Sequence, residues 1–166
     1  KGKTNSRKHN WNTHMFAKDK RAAIDIASEL IKDSMIGCQG IIYRKFVPLK
    51  VLGHGINGLP YANEWRCFYY KGERISYGYY WSISDNIPTT MDLGGLEFAD
   101  EVARKAAEFV DFFVLDVAEK EEGGWTLIEV NDAQCSGISE NDPYILYHKL
   151  KHVAERHEKD RSENRS

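Results

Sequence analysis

With 166 residues, the chain is long enough to close one domain around a real hydrophobic core. Its formal net charge of -2 supplies no global basic field of the kind that draws proteins onto nucleic acid, and no apolar run reaches the length of a membrane span. Cys38, Cys67 and Cys135 lack metal-ligand spacing and make no even disulfide set, which fits a reducing compartment and predicts a cytoplasmic location.

Residues 1–18 are polar and basic and read as a mobile loop. Asp19 stands where a helix over 20–33 needs its cap, and Ala23, Ile26, Ala27, Leu30 and Ile31 recur on one face before Gly37 ends it. Residues 38–51 read as one long strand or two short ones, with Pro48 at an edge or bend. The glycine-rich stretch 53–60 is a connection. Residues 64–70 and 73–81 are β-rich and joined by Lys71-Gly72, a hairpin signal. Residues 82–95, with Pro88 and Gly94-Gly95, read as a loop. The clearest amphipathic helix covers 96–109, with Phe98, Ala99, Val102, Ala103, Ala106 and Val110 as its buried stripe.

Strands over 112–118 and 125–131 follow, joined by an acidic, glycine-rich hairpin connection. After a loop at 132–141, Asp142 as cap and Pro143 at the first helical position open a terminal helix. Residues 155–166 are wholly polar and read as a frayed tail. The element order predicts an α+β fold with a mainly antiparallel sheet packed by helices, over residues 1–154.

The last hairpin carries the strongest chemical signal. Side chains alternate along a strand, so Glu129 and Asn131 share a face, and the hairpin brings Asp116 beside them. Two carboxylates and an amide oxygen make a hard-oxygen site for Mg²⁺, an ion that keeps several waters and binds phosphate oxygens as well. This points to an enzyme that handles a nucleoside triphosphate. The plain alternative is solvated acidic residues at strand ends. Against it stands Glu129, set among Leu127, Ile128 and Val130, where a charge calls for a partner or a metal.

Other residues leave two readings open. Lys1, Lys3, Arg7 and Lys8 are interleaved with Gly2, Thr4, Asn5 and Ser6, a phosphate-cradling composition or a disordered basic terminus; the spacing is not that of a Walker A loop. Arg66, between Glu64 and Phe68 on one strand face, is either a phosphate clamp or half of a surface ion pair with Glu64. The aromatic run Tyr69, Tyr70, Tyr77, Tyr79, Tyr80 and Trp81 reads as sheet packing before base stacking. His54 and His148 lack ligand-spaced partners, and Cys135 lacks a basic residue to activate it; all three read as bystanders.

Taken together, the segments 1–8, 39–47 and 64–68, then Asp116, then Glu129-Val130-Asn131, resemble the ATP-grasp superfamily in order and spacing over nearly the whole chain. They are similar to the small phage- and bacteria-associated members of unknown substrate. The resemblance implies an ATP-grasp-like fold with ATP and Mg²⁺ as cofactors. It implies that Asp116, Glu129 and Asn131 hold the metal and that Arg66 clamps the terminal phosphate or an acylphosphate. Lys1 or Lys3 would be the phosphate lysine, with Lys3 and Arg66 as the catalytic pair. Thr4, Ser6, Arg7 and Lys8 would lie in the phosphate-covering loop, and Tyr43, Arg44, Lys45, Phe46 and Val47 in the hinge that meets adenine. That hinge often carries an acidic residue in the family; here it has Arg44-Lys45. The implied activity is ligation of a small-molecule or peptide carboxylate to an amine through an acylphosphate. The alternative is a non-catalytic ATP-binding regulatory module. Nucleic acid and membrane partners are not expected. Family members also carry a substrate-binding domain and a small first lobe ahead of the phosphate lysine, so an N-terminal lobe is expected to be missing from this chain.

Overall fold

The computed structural model describes Lys1, Thr13, residues 15–82 and residues 87–163. These fall into two compact units, the first Lys1–Pro48 with Gly53–Pro60, the second Leu49–Leu52 with Tyr61–Ser166.

In the first unit, α1 (Lys20–Ile31) begins where Asp19 Oδ1 accepts the Ala22 backbone N–H at 2.8 Å. This is the N-cap geometry that satisfies an orphan donor of the first turn. The strand expected over 38–51 does not form. Residues 32–39 are turns, and only single bridge positions occur at Ile41 and Leu49 before β1 (Val51–His54). Gly40 lies at φ +81°, and Ile42, Tyr43 and Phe46 are exposed, so no alternating face is buried to hold a register. A short 3-10 turn over Ile56–Gly58 leads from β1 to β2 (Pro60–Ala62), and these two strands pair with each other.

The second unit is built on a four-stranded sheet in the order β4-β3-β5-β6, antiparallel throughout. Its strands are β3 (Glu64–Tyr70), β4 (Glu73–Tyr79), β5 (Phe112–Glu119) and β6 (Trp125–Asp132). Lys71 and Gly72 both have positive φ, 49° and 80°. A two-residue hairpin needs this at both central positions for its twist to match that of its strands.

Two helices cover the two faces. α2 (Leu93–Ala106) packs Ala99 and Ala103 onto Trp65, Cys67, Tyr69, Phe113, Leu115 and Val117. α3 (Pro143–Glu163) packs Leu146 and Val153 onto Phe68 and Val114, which alternation puts on the opposite face. The central strands are therefore buried on both sides, which is why β5 reads as a nearly continuous apolar run.

Three boundaries differ from the sequence reading. α2 starts at Leu93 rather than 96, because Asp92 Oδ1 caps it by accepting the Gly95 N–H at 2.7 Å. Gly95 sits inside the helix because a Cβ there would meet the Trp125 ring at 2.6 Å. The helix ends at Ala106, so Val110 lies beyond it and is 40% exposed instead of lining the core. α3 runs through the polar stretch expected to fray. Arg156 pairs there with Glu73, and the His157 ring meets Tyr70 edge-on at 6.2 Å. Among the described residues, no helix is long and apolar enough to cross a membrane.

Candidate functional site

The half of the α3-facing sheet surface beyond the Phe68–Val114 contact is polar, and strand register orders it. Gly78 on β4, Arg66 on β3, Asp116 on β5 and Glu129 on β6 stand opposite one another in a single row. One step along, Phe68, Val114 and Asn131 form the next row on that face.

A bulge makes this row possible. On β6, Glu129 pairs with Asp116 and Leu127 with Val117, which leaves Ile128 as an extra residue. Without it, Leu127 and Glu129 would share a face, being two residues apart. The bulge sends Leu127 to the α2 core and Glu129 to the opposite side, beside Asp116. Bulges recur next to functional sites because they re-aim a side chain in this way.

Arg66 is 8% exposed and Asp116 fully buried. Arg66 donates from Nε to Asp116 Oδ1 at 2.8 Å and from Nη2 to Oδ2 at 2.7 Å. Two parallel charge-assisted bonds fix the guanidinium plane as well as its position. Nη1 donates to the Gly137 carbonyl at 2.8 Å, and the guanidinium carbon lies 4.8 Å from the centre of the Tyr80 ring. Burial by itself pulls the Arg66 guanidinium down, but the Asp116 hydrogen bond and the charges of Asp116, Tyr80 and Glu129 together carry it above its ordinary value. Arg66 is thus a permanent cation, and its partner is Asp116 rather than the Glu64 weighed from sequence.

The donor inventory leaves chemistry available. A guanidinium has five N–H groups, and three are used, so one remains on each terminal nitrogen. Each Asp116 oxygen accepts one hydrogen bond from Arg66 and has a second lone pair. Glu129 and Asn131 are half-buried. Among the described residues, no group of three or more His, Cys, Asp or Glu side chains could hold a metal ion. The donor set here is two carboxylates in one row and an amide in the next, an all-oxygen set that suits Mg²⁺ in chemistry and charge.

A loop closes over this row. β6 runs into a 3-10 turn over Ala133–Cys135, in which Asp132 Oδ1 accepts the Gln134 N–H at 2.8 Å. The chain then passes Gly137 and reaches Asn141, which is 3% exposed. Tyr80, the Gly137 carbonyl and Asn141 were not read as site residues from sequence. Tyr80 was hidden within an aromatic run that β-sheets favour anyway. For Asn141 the only signal is its place ahead of the Asp142-Pro143 helix start.

The other expected site residues lie elsewhere. In the first unit, the Ile42 N–H donates to the Lys1 carbonyl at 2.7 Å, which sets Lys1 beside the start of the segment 43–47. That segment has no regular structure; the Tyr43 hydroxyl donates to the Ala23 carbonyl at 3.0 Å, and Phe16 and Phe46 meet edge-on at 5.1 Å. Arg44 and Lys45 are exposed and Val47 half-buried. Lys3, Thr4, Ser6, Arg7 and Lys8 lie outside the described residues. Cys135 is exposed on the 3-10 turn. His148 is stacked between Tyr144 and His152 on α3.

The model of a family described as an ATP-grasp domain, the third family of its clade, matches residues 1–150. No curated protein and no solved structure matches.

Proposed function

From the premise that this chain belongs to the ATP-grasp superfamily, in the clade family whose model it matches, we propose that it is an ATP- and Mg²⁺-dependent ligase joining a carboxylate to an amine or related nucleophile. One observation carries the reading. A buried Arg–carboxylate pair, with a second carboxylate directly across the next strand, lies on a sheet face that is otherwise apolar. Buried charges are costly, and a fold that needed only stability is served as well by apolar residues there. Cation and anions in one row are suited instead to a polyphosphate and its metal.

In this reading Asp116, Glu129 and Asn131 hold Mg²⁺, which when bound neutralises charge on the phosphate oxygens. Arg66 offers its two remaining N–H groups to the transferred phosphoryl group. Its orientation is fixed beforehand by Asp116 and Tyr80, so little reorganisation accompanies the reaction. Lys1 or Lys3 binds phosphate, and Thr4, Ser6, Arg7 and Lys8 cover it. Tyr43, Arg44, Lys45, Phe46 and Val47 meet the adenine through backbone groups. The substrate carboxylate oxygen attacks the γ-phosphorus and the bond to ADP breaks, giving an acylphosphate. The amine then attacks the acyl carbon, phosphate leaves, and the amine proton is released to solvent or phosphate. Positioning and electrostatics are the protein's main contributions to such transfer.

Calorimetric titration of ATP, with and without Mg²⁺, tests the site on the wild-type chain and on Glu129→Ala. Mg²⁺-dependent binding that the variant loses is expected. A folded wild-type chain that binds no nucleotide overturns the proposal. Binding without phosphate release across a panel of acids and amines favours a regulatory nucleotide module instead.

A further inference from the structure

Asn141 satisfies three groups from three places. Its Nδ2 donates to the Arg66 carbonyl at 3.1 Å and to the Ile138 carbonyl at 2.9 Å, while its Oδ1 accepts from Ser76 Oγ at 2.6 Å. It therefore bonds to β3, to β4 and to its own loop at once. The loop is held at two further points. The Glu140 N–H donates to the Tyr79 carbonyl at 3.1 Å, and Gly78 has no side chain where a Cβ would meet the Asn141 nitrogen at 2.4 Å. The same loop supplies the Gly137 carbonyl that receives Arg66 Nη1. The loop thus grips Arg66 twice, through its backbone by way of Asn141 and through its side chain by way of Gly137.

We propose that Asn141 is a positioning residue for Arg66. It fixes the loop over residues 133–141 so that the Gly137 carbonyl, Asp116 and Tyr80 leave the guanidinium one orientation. The role in turnover rests on the ligase reading above; the mechanical claim does not. Three acceptors around one guanidinium make a rigid frame only if each is itself immobile. Asp116 sits in the central strand and is fixed by the sheet. The Gly137 carbonyl is on an exposed loop, and a buried amide bonded to two strands is what restrains it. Carboxamide chemistry is needed, because the residue must donate twice and accept once.

The test uses Asn141→Asp, which keeps the shape and the acceptor for Ser76 but removes both donors, and Ser76→Ala as a milder variant that removes one hold on Asn141. Circular dichroism and urea melts establish folding. The first readout is the Arg66 Nε–H resonance of the ligand-free chain, which needs no substrate. Faster solvent exchange and a shifted resonance in Asn141→Asp are expected, with a smaller change of the same sign in Ser76→Ala. The second readout is phosphate release from Mg²⁺-ATP in the presence of an active acid and amine pair. There kcat is expected to fall on the order of 10- to 100-fold with KM for ATP nearly unchanged, since a misaimed group costs mainly in the transition state. An Arg66 resonance in both variants that exchanges as slowly as wild type overturns the positioning role, whatever happens to turnover. A wild-type chain with a protected Arg66 resonance but no ATP binding overturns the ligase reading and leaves the positioning claim to the resonance alone. If Asn141→Asp does not fold, the Ser76→Ala resonance decides.

Discussion

Arg66 and Asp116 stand directly opposite across the β3–β5 pair and are joined by two parallel hydrogen bonds, 2.8 and 2.7 Å long, in a region closed to water. Fifty residues separate them in the chain. Their contribution to stability and their contribution to function can be pulled apart. Removing one partner strands the other as an uncompensated buried charge, so Arg66→Met or Asp116→Leu is expected to cost about 3–5 kcal/mol. Replacing both with apolar residues is expected to restore most of that loss. The double variant should nevertheless bind no Mg²⁺-ATP. Urea unfolding of the two single variants and the double variant, with calorimetry on the double, measures both effects. Additive destabilisation would show that the pair is not the coupled unit described here.

Glu129 offers the cleaner probe of the metal role. It is half-buried and pairs across from Asp116. Glu129→Gln keeps the shape and removes the charge. Its stability is expected to stay within about 1 kcal/mol of wild type, as is usual away from fully buried features. Affinity for Mg²⁺-ATP should fall at least about 100-fold while any affinity for metal-free ATP is little changed, because an ionised carboxylate is what the ion requires. An unchanged Mg²⁺ dependence in this variant removes Glu129 from the metal set.

The sequence was legible where structure is local. Asp19 before a periodic run, Lys71-Gly72 between two β-rich stretches and Asp142-Pro143 each name a boundary through a mechanism confined to a few residues. The antiparallel α+β class follows from the order of these signals. What escaped reading depends on distant contacts. Gly94-Gly95 looks like a loop until Trp125, thirty residues on, is seen to occupy the space of a Gly95 side chain. The extra residue at Ile128 cannot be counted from one strand alone, yet it sends Leu127 and Glu129 to opposite faces. The apolar residues of 38–48 have strand-like composition, but their side chains are largely exposed. Within the candidate site, residue types and approximate places were readable, and the partner of Arg66 was not.

The glycine pair at the start of α2 yields a prediction with opposite signs at adjacent positions. Gly94 is exposed, and a Cβ there would come no closer than 3.4 Å to the Asp92 carboxylate. Gly94→Ala is expected to stabilise by about 0.4–1 kcal/mol by lowering the entropy of the unfolded chain. Gly95 is buried, and its Cβ would meet two Trp125 ring atoms at 2.6 Å and Met91 Sδ at 2.7 Å. Gly95→Ala is expected to destabilise by about 1–3 kcal/mol through overpacking. Thermal melts of the two variants suffice, and equal shifts would contradict the Trp125 contact.

Alkaline pH should unfold the second unit through three buried groups on the α2 side of the sheet. Burial is the main cause that pushes the Cys67 thiol and the Tyr69 hydroxyl well above their ordinary values of 9.0 and 10.0. Burial first, and then the charge of Glu64, push Tyr79 up to about 12. Each group holds its proton more tightly folded than unfolded. Below the ordinary values both states are protonated, and the stability is fully present. As pH rises past 9.0 for Cys67 and past 10.0 for the tyrosines, the unfolded chain loses protons that the folded one keeps, so stability falls. Each group adds up to about 1.4 kcal/mol per pH unit to that slope. Tyr79 can be isolated. Its hydroxyl donates to the Ala62 carbonyl at 2.9 Å and is otherwise enclosed, with the residue only 1% exposed. Tyr79→Phe is expected to lose about 1 kcal/mol at neutral pH, where that bond is removed. Between pH 10.0 and about 12 its stability should fall less steeply than that of wild type. Urea melts at a series of pH values measure the two slopes. Identical slopes would mean that Tyr79 ionises as readily in the folded chain as in the unfolded one, and that the enclosure around its hydroxyl opens in solution.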